Sequence, residues 1–311
     1  MNTFIIYHYY EKNELYRDNL IYFLSIGISQ SAKYYIIIAG ECTVNLPQFD
    51  NVTYIKTENR NYDFGGYCFF FKQFDFKSIK SNDIFIFLNS SVRGPFIAGY
   101  YNNNWYKIFS TKLIGDTKLV GGSINILPGG IDRAKLVEKS FRVKAPFPHV
   151  QTTVYAMTYE ALSYLMSIGF YDIDYEIDRA EVILLYELRM SHEILKNGWK
   201  ISTYLPIYSN IDYQATFSDD NHSSKSGDAM FANGFFGRTL SPQEAVFVKT
   251  NRNMISNLDL YSHTYTELKS KIGEFEKFSD AKVLLDKSSK IIREPQSKIK
   301  KLIKKCLKYL E

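Results

Sequence analysis

The first two-thirds of the chain alternates short, continuously apolar segments with segments whose apolar residues recur every three or four positions. The first pattern is typical of buried strands and the second of amphipathic helices. The predicted strands cover residues 3–9, 34–39, 52–56, 83–88, 117–125, 149–158 and 200–205. The predicted helices cover residues 13–28, 69–79, 159–168 and 177–197. Strands without polar alternation, separated by helices, predict an α/β fold with a mainly parallel sheet flanked by helices.

The last third has a different pattern. Residues 214–238 are rich in Ser, Asp, Asn and Gly, which predicts a long loop. Ser241-Pro242-Gln243-Glu244 then predicts a helix start, with serine at the cap, proline at the first position and glutamate at the third. Helical segments continue to the end, so the pattern divides the chain into an α/β domain, residues 1–255, and a C-terminal helical extension, residues 256–311.

Composition excludes several classes of protein. The chain has 311 residues, of which 45% are hydrophobic, too many for a disordered protein. Its three cysteines are scattered without CxxC spacing, which excludes a disulfide scaffold and a zinc ribbon. The N-terminal residues lack the basic and apolar regions of a signal peptide, and no apolar run reaches the ~18 residues of a membrane span. We therefore expect a cytoplasmic protein.

Positive charge is concentrated at the C-terminus. Residues 286–311 hold nine Lys and Arg against three acidic residues, a net charge of +6. The other 285 residues carry −1, so the whole chain carries +5. Apolar residues recur there at helical spacing: Ile299, Leu302, Ile303, Cys306, Leu307 and Leu310. A basic amphipathic helix is typical of a segment that binds the anionic inner face of a membrane. The alternative is a helix that packs on the body or pairs two copies of the chain. We expect no nucleic-acid partner, because the rest of the chain adds no basic surface to that of the C-terminal segment.

Two polar segments follow predicted strands, where open α/β sheets bind their ligands. The first is NRNYDFGGY, in which Asp63 could accept hydrogen bonds from a nucleoside and Gly65 and Gly66 allow a close backbone approach, although glycine pairs also mark ordinary turns. The second is NSSVRGP after the strand DIFIFL. Its amide, hydroxyls and guanidinium suit a nucleoside diphosphate: Asn89, Ser90, Ser91 and Arg93. The alternative is a strand-ending turn with a surface arginine.

Two further candidates lie later in the chain. His149 and Gln151 would share one side of a strand, although a lone histidine there is more often structural. Glu187 lies among apolar residues of a predicted helix, where burial would raise its pKa and suit it to act as a general base. The alternative is a surface glutamate paired with Arg189 or Lys196.

Taken in order, these segments resemble GT-A fold glycosyltransferases, in particular the rhamnan-synthesis-like family of bacterial and viral polysaccharide transferases. The resemblance covers about residues 1–255 and rests on the ordered set NRNYDFGGY, DIFIFLNSSVRGPF, VGGSIN, PHVQTTVYAMT, YELRMSHEILKNGWKI and SPQEAVFVKTNR. It implies a GT-A (Rossmann-like) fold and a UDP- or dTDP-sugar donor. The implied donor-binding residues are Asp63, Gly65, Gly66, Asn89, Ser90, Ser91 and Arg93.

The resemblance also implies chemistry and partners. Asn89 and Ser91 lie where such enzymes usually carry the Asp-x-Asp that binds Mn²⁺ or Mg²⁺, and the missing carboxylates put a divalent cation in doubt. Glu187 would be the base of an inverting transfer to a hydroxyl of a capsule or O-antigen glycan, which would be lipid-linked. The residues implied to contact acceptor or diphosphate are His149, Gln151, Arg189, Lys249 and Arg252.

Two alternatives to an active glycosyltransferase stay open. The missing Asp-x-Asp also fits a degenerate transferase that only binds a glycan or a partner enzyme. A methyltransferase on a doubly wound sheet would need a glycine-rich loop after the first strand, where this chain has His8-Tyr9-Tyr10-Glu11.

Overall fold

The computed structural model describes residues 1–101, 103–214, 228–273 and 278–307, with side chains up to Glu294. The strands are β1 Thr3–Tyr9, β2 Lys33–Ala39, β3 Val52–Thr57, β4 Ile84–Asn89, β5 Val92–Arg93, β6 Thr117–Gly121, β7 Ile124–Leu127, β8 Phe147–Val150, β9 Val154–Thr158, β10 Lys200–Thr203 and β11 Val248–Lys249. The helices are α1 Glu14–Ile26, α2 Tyr62–Phe71, α3 Lys107–Ser110, α4 Asp132–Phe141, α5 Tyr159–Ser167, α6 Arg179–Val182, α7 Arg189–Lys196, α8 Pro206–Ser209, α9 Pro242–Ala245, α10 Asn257–Ser270 and α11 Ser279–Leu307. A π-helical segment, Ile183–Leu188, joins α6 to α7.

Seven strands form the central sheet in the order β10-β6-β9-β4-β1-β2-β3. All neighbours are parallel except β9, which runs antiparallel to both β4 and β6. Two small sheets, β5 with β11 and β7 with β8, lie outside it. The predicted Rossmann-like α/β class, a mainly parallel sheet flanked by helices, is confirmed.

Burial explains why the inner strands form. Every residue of β1 is buried, and β4 is buried over its first five positions, so both occupy the middle of the sheet. Helix α1 begins where the Asn13 side chain accepts a hydrogen bond from the backbone N–H of Tyr16 at 3.2 Å, as an N-cap does. These elements place the carboxyl ends of β1 and β4 side by side, with His8 opposite Asn89.

Three predicted boundaries were wrong. The helix after β3 begins at Tyr62 rather than at residue 69, so the glycine pair lies inside it. Residues 149–158 form two strands rather than one, and residues 117–125 also divide between two sheets. The strands β7 and β8 leave the central sheet together, and the Gln151 N–H then bonds the Ser123 carbonyl at 3.0 Å. An apolar pattern cannot show such a change of sheet, because both strands remain buried.

The C-terminal helices pack on α1. Asp18 accepts hydrogen bonds from Tyr261 on α10 at 2.5 Å and from Lys287 on α11 at 2.7 Å. Asp280 at the start of α11 pairs with Arg17 at 3.2 Å. The expected helical extension is confirmed, while its boundary at residue 255 stays a prediction.

Two predicted features reach beyond the described residues. Most of the predicted loop 214–238 lies outside them, and so do the side chains of the apolar stripe between residues 299 and 310. The predicted helix start at Ser241 is confirmed, with a reciprocal capping box between Ser241 and Glu244. Within the described ranges, none of the helices has the length and apolar content to span a membrane.

Candidate active site

A polar corner lies at the carboxyl ends of β1 and β4. Asn89 donates from Nδ2 to the Asp63 carboxylate at 2.9 Å, and its Oδ1 accepts from the Ser91 N–H at 3.1 Å and the Ser91 hydroxyl at 2.5 Å. Asp63 stands in the first turn of α2, where a carboxylate is stabilised by the helix dipole. Asn89 thus bonds both Ser91 and Asp63, and it holds Asp63 at the end of the sheet.

His8 lies beside this corner, opposite Asn89 in the sheet. Its ring is 4% exposed, and its Nε2 has no hydrogen-bond partner among the described residues. Burial lowers the pKa of His8 to about 4, although the Asp63 charge opposes the shift. The ring is therefore a neutral imidazole at physiological pH.

The two glycines lie where the backbone packs closely, and the ligand approach that the sequence suggested stays a prediction. A Cβ at position 66 would lie 2.2 Å from Cδ2 of His8, and a Cβ at position 65 would lie 2.0 Å from the Arg60 carbonyl oxygen. Glycine at position 66 therefore allows α2 to pack closely on β1, and glycine at position 65 allows the start of α2 to lie close to the loop before it. Gly65 also lines an open cavity of about 540 Å³ together with Lys56, Phe69 and Asp174.

Glu187 approaches the corner from the π-helical segment. Such segments are rare and occur frequently at functional sites. Burial, followed by the Asp63 charge, raises the pKa of the half-buried Glu187 carboxyl. The charges of Lys249 and Arg252 and a hydrogen bond from Thr152 partly oppose the shift. Glu187 therefore shares one electrostatic cluster with Asp63, Lys249 and Arg252, and its raised pKa suits a proton acceptor.

Strand pairing brings the segment KTNR to this cluster. Strand β11 runs antiparallel to β5, which places Lys249 opposite Val92. The Thr250 N–H and hydroxyl both donate to the Ser91 carbonyl, at 2.9 and 3.0 Å. Asn19 on α1 donates to the Thr250 hydroxyl at 2.9 Å. Lys249 is thus fixed beside the polar corner, more than 150 residues away in sequence.

Two residues of this region were missed by the sequence analysis. Asp228, 5% exposed, forms an ion pair with Arg252. Arg179, the exposed first residue of α6, lowers the pKa of both Lys249 and Arg252 through its charge. The capping box of Asp178 and Glu181 could have marked the start of α6, but no sequence pattern marks Arg179 as part of a cluster.

Arg93 does not take the donor-binding position that the sequence suggested. Its side chain is 0% exposed, and its guanidinium donates to Asn19 Oδ1 at 2.9 Å and to the Thr264 hydroxyl at 3.1 Å. It also pairs with Asp18 at 3.7 Å and lies 4.8 Å from the ring centroid of Tyr261. These contacts join β5 to α1 and α10, so Arg93 is a structural residue.

Ser90 is structural for a similar reason. It is 4% exposed, and its hydroxyl donates to the Tyr10 carbonyl at 3.1 Å and accepts from the Tyr10 N–H at 3.3 Å. These bonds fasten the exit of β4 to the exit of β1. Its side chain is therefore not free for a donor.

The remaining predicted residues make contacts outside the cluster. His149 bonds the Phe147 carbonyl at 3.2 Å, and burial lowers its pKa to about 4. Gln151 is 8% exposed, just after β8. Arg189 pairs with Glu193 on its own helix at 3.5 Å, with its guanidinium 5.6 Å from the Phe170 ring centroid. The structure brings together Asp63, Asn89, Ser91, Glu187, Lys249 and Arg252.

The corner does not fit a divalent cation bound as by an Asp-x-Asp. Asn89 and Ser91 bond each other, and the nearest carboxylate, Asp63, already accepts from Asn89. Across the ranges described above, no group of three or more His, Cys, Asp or Glu side chains is arranged to hold a metal ion. Mg²⁺ and Mn²⁺ prefer charged oxygen ligands, which the trio Asn89-Ser90-Ser91 lacks.

Comparisons with known proteins return structural similarity only. No family model matches the sequence, and no curated protein does. Francisella tularensis 2-C-methyl-D-erythritol 4-phosphate cytidylyltransferase has 11% identity and a TM-score of 0.36 over 71% of this chain and 96% of its own. Pyrobaculum calidifontis mannosyltransferase PcManGT, solved with GDP-Man and Mn²⁺, has 9% identity and a TM-score of 0.36 over 94% and 85%. The bifunctional glycosyltransferase WbbM has 10% identity and a TM-score of 0.34 over 67% and 39%. These similarities, all with TM-scores below 0.5, do not enter the functional assignment.

Proposed function

We propose that this protein is a glycosyltransferase that moves a sugar from a nucleotide-sugar donor to a glycan hydroxyl. The observation that carries the proposal is the half-buried Glu187, whose pKa is raised, beside the polar corner at the carboxyl ends of β1 and β4. Open α/β sheets bind ligands at that edge, and a carboxyl group whose pKa is raised is suited to take up a proton there.

Asp63 is the donor-side residue. Asn89 occupies one of its carboxylate oxygens, and in the described part of the chain the other has no hydrogen-bond partner. That oxygen can accept from the ribose hydroxyls of a UDP- or dTDP-sugar. The hydroxyl of Ser91 and the backbone around Gly65 complete this side of the site.

Glu187 is the catalytic base. Its carboxylate takes the proton of the acceptor hydroxyl while the acceptor oxygen bonds to the anomeric carbon. The bond from that carbon to the donor diphosphate breaks, and its electron pair leaves with the nucleoside diphosphate. Attack opposite the leaving group inverts the anomeric configuration. The nearby cations of Lys249 and Arg252 stabilise the negative charge of the departing diphosphate.

The acceptor we propose is a surface polysaccharide of the capsule or O-antigen type, lipid-linked, receiving a hexosyl or deoxyhexosyl group. The motif order of the rhamnan-synthesis-like transferases supports this choice. The basic segment 286–311 supports a site of action at the inner face of the membrane, since a net charge of +6 attracts anionic lipid. Pairing of two copies through the C-terminal helices is compatible with this arrangement.

The test is nucleoside diphosphate release from a panel of UDP-, dTDP- and GDP-sugars, with and without glycan acceptors. We expect release with at least one donor and its loss in Glu187→Gln. Glu176→Gln is the matched control, because Glu176 is 83% exposed and forms only a 3.7 Å ion pair with Arg60. Release that survives Glu187→Gln would remove the assigned base.

The second candidate is a degenerate transferase that binds glycan without catalysis, favoured by the absence of a carboxylate from Asn89-Ser90-Ser91. Glycan binding without release from any donor would select it. A methyltransferase finds no support, because β1 runs into Tyr10 and Glu11 without a glycine-rich loop.

A further inference from the structure

The diphosphate of a nucleotide sugar needs positive charge around it, and the polar corner does not supply a divalent cation site. The polar groups of Asn89 and Ser91 form hydrogen bonds with each other and with Asp63. Asp63 and Glu187 are the carboxylates next to this corner, and the negative charge of Asp63 helps to raise the pKa of Glu187. The charge must therefore come from elsewhere in the protein.

Three basic side chains converge on the site from two separate segments. Lys249 ends β11 opposite Val92, and the Thr250 N–H that follows it donates to the Ser91 carbonyl at 2.9 Å. Arg252 lies three residues after Lys249, and the charges of both act on Glu187. Arg179 begins α6, eight residues before Glu187, and its charge acts on both of them.

The positive charge of this trio is incompletely compensated. The side chains of Lys249 and Arg179 have no hydrogen bond or ion pair within the residues that the structure describes, while that of Arg252 pairs with Asp228. Burial lowers the pKa of Lys249 even though Glu187 and Asp63 both act in the opposite direction. Burial likewise lowers the pKa of Arg252. An anion bound among these side chains would relieve that cost.

We propose that Lys249, Arg252 and Arg179 bind the diphosphate of the donor directly, so that this site works without a divalent cation. The inference rests on the proposed function and names the groups that take the place of the metal. The planar guanidinium groups can each donate two parallel hydrogen bonds to phosphate oxygens, and the lysine supplies a compact charge. When the bond to the anomeric carbon breaks, the electron pair stays on the diphosphate oxygen next to these cations.

The experiment is calorimetric titration of the full chain with UDP, dTDP and GDP, each in excess EDTA and again with Mn²⁺. We expect at least one nucleotide to bind in EDTA, with its dissociation constant changed less than about threefold by Mn²⁺. Lys249→Gln and Arg179→Gln should each weaken that binding by at least about tenfold, or about 1.4 kcal/mol. Lys200→Gln is the matched control, because Lys200 is exposed on β10 and pairs with Asp212.

The outcomes separate the two proposals. Binding only in the presence of Mn²⁺ overturns the metal-free site and leaves the glycosyltransferase proposal standing. Binding in EDTA that Lys249→Gln and Arg179→Gln leave unchanged, with both variants folded by circular dichroism, also overturns the assignment of the trio. If none of the nucleotides binds in either condition, this inference and the proposed function fail together.

Discussion

The substitution Arg93→Met tests whether Arg93 is a structural residue or a residue that binds the donor phosphate. Arg93 lies in β5, two residues from Ser91, and by sequence alone it is a candidate for the donor phosphate. In the structure its guanidinium is buried between α1 and α10, where it donates to Asn19 and Thr264 and pairs with Asp18. Methionine has a similar length and no donors, so the substitution removes these bonds without leaving a large cavity.

The cost follows from what the substitution leaves behind. Hydrogen bonds from a charged donor contribute about 1.5–3 kcal/mol each, so the loss of two corresponds to roughly 3–6 kcal/mol. Removing a buried charge recovers part of its desolvation cost. Asp18 remains bonded to Tyr261 and Lys287, so it is not left as an unpaired buried charge. We therefore expect a loss of about 3 kcal/mol, a large share of a typical stability of about 5–15 kcal/mol.

Urea unfolding followed by circular dichroism measures this loss, and calorimetric titration with nucleoside diphosphate measures binding by the folded variant. We expect a lower unfolding midpoint at constant slope, with an unchanged dissociation constant. In the double variant with Asp18→Asn, the losses should be coupled by about 1 kcal/mol, because the two groups share one network. An unchanged midpoint together with nucleotide binding weakened about tenfold or more would refute this account of Arg93.

Three further predictions concern the catalytic base, the glycine contact and the tail. Glu187→Gln should lower donor turnover at least about 100-fold, and wild-type turnover should rise with pH as Glu187 loses its proton, which a pH–rate profile measures. Because the folded-state pKa of Glu187 is raised, its contribution to stability is present below the ordinary glutamate pKa and lost as pH rises through the folded value. Glu187→Gln should therefore melt above wild type at pH 8 but not at pH 4; equal melting temperatures at pH 8 would contradict the raised pKa. Gly66→Ala should cost about 1–3 kcal/mol in urea unfolding through its clash with His8, whereas Gly99→Ala, with no atom within 4 Å of its added Cβ, should cost much less. Deleting residues 296–311 should weaken sedimentation with anionic liposomes and spare turnover on soluble acceptors; equal sedimentation of both chains would count against the membrane role.

The central sheet could be predicted because its strands carry a strong local signal. The apolar runs at β1 and β4 have no other stable location than the middle of a sheet, and their predicted bounds differ from the observed ones by at most one residue. Helix α2 was displaced because Gly65 and Gly66 locally favour a turn. Gly66 lies in the helix where α2 packs against His8, a residue distant in sequence.

The candidate site was predicted only in part, and Arg93 shows why. An arginine that follows a buried strand is expected at the surface, unless a buried partner lies elsewhere in the chain. That partner does leave a trace, because Asp18 and Asn19 interrupt the apolar side of the first predicted helix. Arg179 leaves no such trace, because it is an exposed residue at the start of α6 and its charge acts on residues about 70 positions away in the sequence.

The contrast between two clusters of opposite charges supports the choice of site. Around Arg93, the acidic and basic groups are buried and bond one another, so the chain has used that charge to join α1, β5 and α10. Around Glu187, the pKa values of the carboxyl and of Lys249 are displaced in opposite directions, each towards its neutral form, despite their mutual attraction. Such a cluster costs the folded protein stability when no ligand is bound. Binding of a diphosphate beside Lys249 and passage of a proton to Glu187 would both relieve that loss of stability. A purely structural cluster would have no function that offsets the loss.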